Sequence, residues 1–427
     1  MTSTSHSPQA LPRDATRVRA LDGVRGVAAL VVVLHHALQV DPTFARVQAR
    51  ESAAGEGPVV WALTHTPLHV VWAGEEAVLV FFVLSGFVLT LPATRRAVRW
   101  REYYPRRLLR LYVPVWGSLV LAVALTAALA GRADDAASPF LRDRALAPPG
   151  EVWHDAALLS GTGLLNSPLW SLRWEVLFSL ALPLYLLALR RRSGRWALVD
   201  AAVLITLIGV GTATHSLALR YLPVFGLGVM LAYHQDRLIA ATDWLEHHRR
   251  PGFLWAAVAV GVSTLLTARW LVDGLPFTHP LLEAGASGAS ILGATAVVVL
   301  ALRWAPCAQA LERGPAQWLG ARSFSLYLVH EPAIVAVALL VAPAAGTWFA
   351  AAGGAVVAVA VTMAFYRLVE HPSIGLARRA GELFRPAPSR HPPAATAPTA
   401  PVPGPAAAPV PAPVSRPDAP RRRPELA

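Results

Sequence analysis

Apolar residues in this chain are gathered into ten long runs, separated by shorter polar segments. Crossing the ~30 Å hydrocarbon core of a bilayer takes about 20 helical residues. The runs lie near 22–41, 70–91, 111–131, 169–189, 196–214, 217–234, 252–272, 281–302, 323–342 and 348–369. They predict an all-α polytopic membrane helix bundle of about ten transmembrane helices. Residues 1–19 read as an N-terminal segment, 20–372 as the membrane domain and 373–427 as a tail, Pro/Ala-rich from about 385. Proline removes backbone donors, and the tail has too little bulky apolar surface to bury. It is expected to be disordered.

With the N-terminus inside, arginines collect at alternate junctions: Arg95 to Arg110, Arg190 to Arg195, Arg237 to Arg250 and Arg303 to Arg322. The opposite loops hold fewer, although Arg46, Arg50, Arg132, Arg142 and Arg144 sit there. This asymmetry predicts a multi-pass protein of the plasma membrane with both termini cytoplasmic.

Composition agrees with a membrane class. The 427 residues are 55% hydrophobic and 15% charged, with a mean hydropathy of +0.45, which excludes an ordinary soluble domain. There is no lysine, so the net +12 is carried by arginine. Because these arginines border apolar runs, topology explains them and no nucleic-acid partner is expected. A single cysteine, Cys307, excludes an intramolecular disulfide and any multi-cysteine metal site. No metal is expected.

Polar residues inside the runs mark the candidate chemistry. In Ala20 to Leu38, Asp22 and Arg25 are three apart, close enough to pair on one helical face. His36 lies eleven positions beyond Arg25, about 20° from the same face, whereas His35 is about 80° away. Three ionisable groups on one stripe of an apolar helix are costly in a membrane and point to a site. Glu75, Glu76, Ser85 and Gly86 sit in the second run, where small residues serve close helix packing. Arg106, Arg107 and Arg110 mark the cytoplasmic start of the third, either as topology signals or as holders of phosphate. Trp170 and Glu175 enter the fourth near its outer edge. Tyr327 and His330 are three apart in the ninth, and Glu370 ends the tenth.

Taken in order, LDGVRG with HH, then FFVLSGF, RRLLRLYVP, LWSLRWEVLF and SFSLYLVHEP make the chain resemble the acyltransferase type 3 family of integral membrane proteins. The five stretches cover most of residues 20 to 372. The resemblance implies about ten helices, an acyl-CoA donor on the cytoplasmic side, and O-acylation of a hydroxyl, usually on a sugar of a glycan, lipid-linked or secondary-metabolite acceptor. The family's arginine and histidine are matched by Arg25 and His36, and its cytoplasmic arginine pair by Arg107 and Arg110. Its tryptophan–serine–leucine stretch with a glutamate is matched by Trp170, Ser171, Leu172 and Glu175, and its serine, tyrosine and histidine by Ser325, Tyr327 and His330. Arg173, Trp174 and Phe178 depart from the usual pattern. Some members carry an esterase-like domain after the last span, where this chain shows only the proline-rich tail.

Acyl transfer from a thioester to an alcohol needs a base for the hydroxyl proton and donors for the oxyanion. Imidazole suits the base at neutral pH, which selects His36, supported by Arg25 and Asp22. Glu175, near the outer surface, is expected to help place the acceptor. Arg107, Arg110, Tyr327 and His330 are assigned to the donor, acyl-CoA, with acetyl-CoA the expected form. Cys307 lies in a cytoplasmic loop and a lysine nucleophile does not exist, so direct transfer is the simpler route, with an acyl-imidazole at His36 as the alternative. From Arg25 to His36 is about 16 Å along the axis, the order of a pantetheine arm. A transporter using intramembrane Asp, Glu, Arg and His is the rival reading.

Overall fold

The computed structural model describes residues 19–50, 56–132, 137–145, 152–159, 163, 165–189, 195–273, 275 and 279–384. The N-terminal segment, most of Arg190 to Arg195 and the proline-rich tail lie outside them. Among the described residues there is no strand, and the all-α bundle expected from the sequence is what the chain forms.

Twelve helices carry the description. They are α1 Arg19–Leu38, α2 Gly74–Thr90, α3 Trp100–Ala128, α4 Leu169–Ala188, α5 Arg195–Ala213 and α6 Leu217–Tyr233. They continue with α7 Gln235–Glu246, α8 Pro251–Leu266, α9 Pro280–Arg303, α10 Gly314–Ala345, α11 Thr347–Phe365 and α12 His371–Leu383. Eight described helices are long and apolar enough to cross a membrane, nine if a bent pair counts as one span, where ten runs predict ten. The pair is α6 and α7, which meet at 78° where the sequence turns polar at His234. α8 has only 16 residues. The rest of its run is the short helix Ala268–Asp273, and there Arg269 turns to an acid instead of continuing an apolar span.

α10 is the central helix, with 78% of its apolar window buried, against 61% for α1 and α2. Glycines let its neighbours approach. A Cβ on Gly320 of α10 would lie 2.2 Å from the Asp22 carbonyl oxygen of α1. Likewise, a Cβ on Gly86 of α2 would lie 2.1 Å from the Phe225 oxygen of α6. The packing reading of Gly86 therefore holds, and such backbone contact is what small residues allow in lipid.

Prolines open two carbonyls that side chains then take up. Pro332 has no N–H for the carbonyl four residues back, and Asn166 Nδ2 donates to that Leu328 oxygen at 2.9 Å. Pro183 frees the Ser179 carbonyl in the same way, and the Tyr103 hydroxyl donates to it at 3.3 Å. These bonds tie the segment before α4 to α10, and α3 to α4.

Before α2, His69 is fully buried between the rings of Trp72 and Trp270, with centroids 4.7 and 4.4 Å away. Burial disfavours its charged form and holds the imidazole at about 3, far below its ordinary 6.5. An unfolded chain takes up this proton below pH 6.5, while the folded one stays neutral until about pH 3. The stability His69 contributes is therefore complete above pH 6.5 and falls as pH drops through that window, by up to about 1.4 kcal/mol per pH unit. We expect the melting temperature of detergent-solubilised protein to fall from neutral pH to about pH 5, and His69→Phe to flatten that slope. Equal slopes in both proteins would remove His69 from the account.

Candidate active site

The polar side chains of the central helices collect around two cavities. The first, about 100 Å³, lies toward the end of the bundle where α1 begins and α3 carries its arginines. Arg25, Arg107, Arg110, Ser85, Glu175 and Tyr327 are among its lining, with Phe81, Phe82 and Leu172 as its apolar wall. Arg107 forms an ion pair with Glu175, and its Nε donates to Ser179 Oγ at 3.1 Å. The Ser85 hydroxyl donates to the same carboxylate at 2.8 Å. Among the described residues Arg25 and Arg110 make no hydrogen bond, so their guanidinium groups are unspent. Arg110 is repelled by Arg25 and Arg107 and attracted by Glu370. Glu370 stands in a π-helical turn, Tyr366–Glu370, and accepts from the Ser325 backbone N–H at 3.0 Å and from its hydroxyl.

The second cavity, about 520 Å³, lies toward the opposite end, where α1 finishes. His35, His36, Glu75, Trp170, Arg220 and Arg269 are among its lining, and Tyr327 lines both cavities. The Tyr327 hydroxyl is 2.7 Å from Ser171 Oγ and donates to the Pro168 oxygen at 3.1 Å. A pair of hydroxyls thus stands between the two chambers.

Hydrogen bonding fixes the protons on the histidines. A carbonyl oxygen only accepts, so His330 Nδ1, 2.9 Å from the Leu326 oxygen, carries a proton. In a neutral ring its Nε2 then accepts, and it lies 2.9 Å from His36 Nδ1. His36 Nδ1 therefore donates, and it shares that proton with the Val32 oxygen at 3.2 Å. The lone pair of His36 is left on Nε2, at a residue lining the second cavity. His35 is fixed separately, its Nδ1 donating to the Trp72 oxygen at 3.0 Å. Beside His330, buried Glu331 forms an ion pair with Arg144 and accepts from Ser167 Oγ at 2.7 Å.

The structure brings Arg25, Arg107, Arg110, Glu175 and Tyr327 together at the first cavity, and sets buried His330 behind His36, which lines the second. Several placements differ from the sequence reading: Arg25, expected to support His36, lines the first cavity with Arg107 and Arg110, and Ser85, expected to serve packing, donates to Glu175 there. Glu175 is not near the far surface beside the acceptor; five residues beyond Trp170, it is about 7.5 Å deeper along α4 and pairs with Arg107. His330 is not with the donor arginines but supports His36. Asp22 lies a turn before Arg25 and lines neither cavity; its carbonyl packs against Gly320. The Arg144–Glu331 pair and the Glu75–Arg220–Arg269 cluster were not assigned from sequence. Their signal was present: arginines in loops or runs where the topology rule wants none, and acids entering apolar helices with no partner nearby.

Apolar helices of spanning length, closed around buried ion pairs and a pair of hydrogen-bonded histidines, define an integral membrane protein. The family model described as an acyltransferase domain, of the acyltransferase type 3 family, matches residues 18–367, and the chain belongs to that family. No curated protein and no solved structure matches the chain.

Proposed function

We propose that this membrane acyltransferase moves an acyl group from acyl-CoA, held at the arginine-lined cavity, to a sugar hydroxyl held at the His36 cavity. The observation that carries the reading is Tyr327, one side chain lining both chambers, with the Arg25 and Arg110 guanidiniums, not hydrogen-bonded among the described residues, on one side and the unprotonated His36 Nε2 on the other. Unspent guanidinium groups on Arg25 and Arg110 suit the phosphates of a nucleotide donor. The Phe81, Phe82 and Leu172 wall of the first cavity, about 100 Å³ in all, suits a short acyl group such as acetyl. By the arginine asymmetry of the sequence, the first cavity faces the cytoplasm of the plasma membrane and the second faces outward, with both termini inside.

His36 Nε2 takes the acceptor's hydroxyl proton as the oxygen attacks the thioester carbonyl. The oxyanion is met by the Tyr327 or Ser171 hydroxyl. On collapse the carbon–sulfur bond breaks and the thiolate of CoA receives the proton from His36. The imidazolium formed in between is stabilised by His330 Nε2, which accepts from His36 Nδ1 throughout. No acyl-enzyme is required.

Purified protein in liposomes should transfer radiolabel from acetyl-CoA to a sugar acceptor, releasing one CoA thiol per ester formed. Movement of the sugar across the liposome membrane without acetyl-CoA, and without ester formation, would favour the transporter reading instead.

A further inference from the structure

The second cavity is more strongly charged than a neutral sugar requires. Three of its lining residues are guanidiniums, Arg50, Arg220 and Arg269, and one is a carboxylate, Glu75. Glu75 is shared: Arg220 Nη2 donates to Oε1 at 2.8 Å, the Tyr221 hydroxyl to the same oxygen at 3.2 Å, and Arg269 Nη1 to Oε2 at 2.7 Å. Each guanidinium has five N–H donors, so Glu75 on Arg220 and Arg269, with Asp273 on Arg50, leaves most of them unused. Arg269 Nε is buried without a hydrogen-bond partner among the described residues. The nearest other acids are already engaged, Glu76 with Trp270 Nε1 at 3.1 Å and Asp273 with Arg50 at 3.1 Å.

Two more features shape these cations for a ligand. Arg220 lies over the Tyr221 ring, 5.3 Å from its centroid, and that ring is 5.0 Å from Trp170. A fixed guanidinium thus stands beside an aromatic wall on which a sugar face can rest. Arg50 has a backbone φ of 57°, a left-handed conformation that costs free energy for a side-chain-bearing residue. Such strain is concentrated at ligand-holding positions.

We propose that Arg50, Arg220 and Arg269 form an anion subsite that selects acceptors carrying a carboxylate or phosphate close to the hydroxyl that is acylated. The subsite rests on the acyltransferase reading for its role in catalysis, but not for its binding. Glu75 holds Arg220 and Arg269 apart and aimed, and the ligand's oxyanion completes their hydrogen bonding. His36, in the same cavity, then meets the neighbouring hydroxyl.

Binding of D-glucuronate, glucose 6-phosphate and D-glucose to full-length protein in detergent, read by tryptophan fluorescence, tests the subsite without any acyl transfer. At least tenfold tighter binding of one or both anions than of glucose is expected. Preference for glucuronate alone identifies a carboxylate site, and for the sugar phosphate alone a phosphate site. Arg50→Gln should remove most of that preference without lowering the melting temperature, because its side chain is 48% exposed. Arg220→Gln should remove the preference more strongly, with Glu75 still paired to Arg269 and the melting temperature measured alongside. Equal affinity for the three sugars, or an anion preference that survives in Arg50→Gln and Arg220→Gln alike, overturns the proposal. In the transfer assay, a methyl glucuronide should be acylated at least tenfold faster than its methyl ester at low concentration. An ester acylated as fast as the acid overturns the subsite and leaves acyl transfer standing. If neither is acylated, the transfer reading loses and the binding arm alone decides the subsite.

Discussion

His36→Ala is expected to lower acyl transfer by about 10²–10⁴-fold, the range that general-base catalysis supplies. The protein should still insert and fold, because His36 lines a cavity and its ring is not fully enclosed. The reason lies in the direction of the protons. Leu326, His330 and His36 form a chain in which each ring donates from Nδ1, leaving His36 Nε2 as the free acceptor. His35→Ala should cost less, since that ring donates to the Trp72 carbonyl and stands outside the chain. His330→Ala tests the positioning role: His36 keeps its bond to the Val32 carbonyl but loses the acceptor that stabilises its charged form. The kcat should then fall while both KM values hold, and His330→Gln, which keeps an acceptor for His36 Nδ1, should recover part of it, a rescue that a packing defect does not give. Initial rates in liposomes, with melting temperatures alongside, separate these outcomes. Equal loss for His35→Ala and His36→Ala would remove the assignment.

Arg25→Gln combined with Arg110→Gln is expected to raise the KM for acyl-CoA by about a hundredfold or more, with a smaller effect on the acceptor's KM. Each lost charge-assisted hydrogen bond is worth roughly 1.5–3 kcal/mol. Because neither side chain is hydrogen-bonded among the described residues, their removal should leave the melting temperature in place. Arg107→Gln should behave differently. It leaves Glu175 inside the bundle without its cation, which costs about 3–5 kcal/mol when a buried pair is broken on one side. Loss of folded protein is expected there, and partial recovery when Glu175→Gln is added. Lysine in place of Arg25 and Arg110 keeps charge but not the planar fork, so intermediate KM values are expected. Isothermal titration with CoA checks the binding part directly.

The sequence displayed the helices well and the pairings poorly. Apolar runs of spanning length announce themselves because lipid demands about 20 residues of one character. The run at 252–272 misled because hydropathy averages over Arg269, whose partner Glu75 lies 194 positions away. Periodicity put Arg25 and His36 on one face of α1, yet the two groups serve different chambers. A helix face seen in projection carries no depth, and eleven residues separate them along the axis. Glu175 was placed too close to the surface for the same reason. The His36–His330 contact joins residues 294 positions apart and has no local signature. Arg144, counted as an exception to the topology rule, was the most useful hint left unused: a guanidinium in a loop expected to be poor in arginine implied a buried acid, and Glu331 is that acid.

In the proposed reaction, donor and acceptor meet from opposite faces of one membrane, across Tyr327. Sealed vesicles of known orientation test it, with radiolabelled acetyl-CoA and a membrane-impermeant sugar acceptor each placed on one side at a time. Labelled ester is expected only when acetyl-CoA is on the cytoplasmic side and the acceptor is on the other. Acylation that requires both on the cytoplasmic side would contradict it.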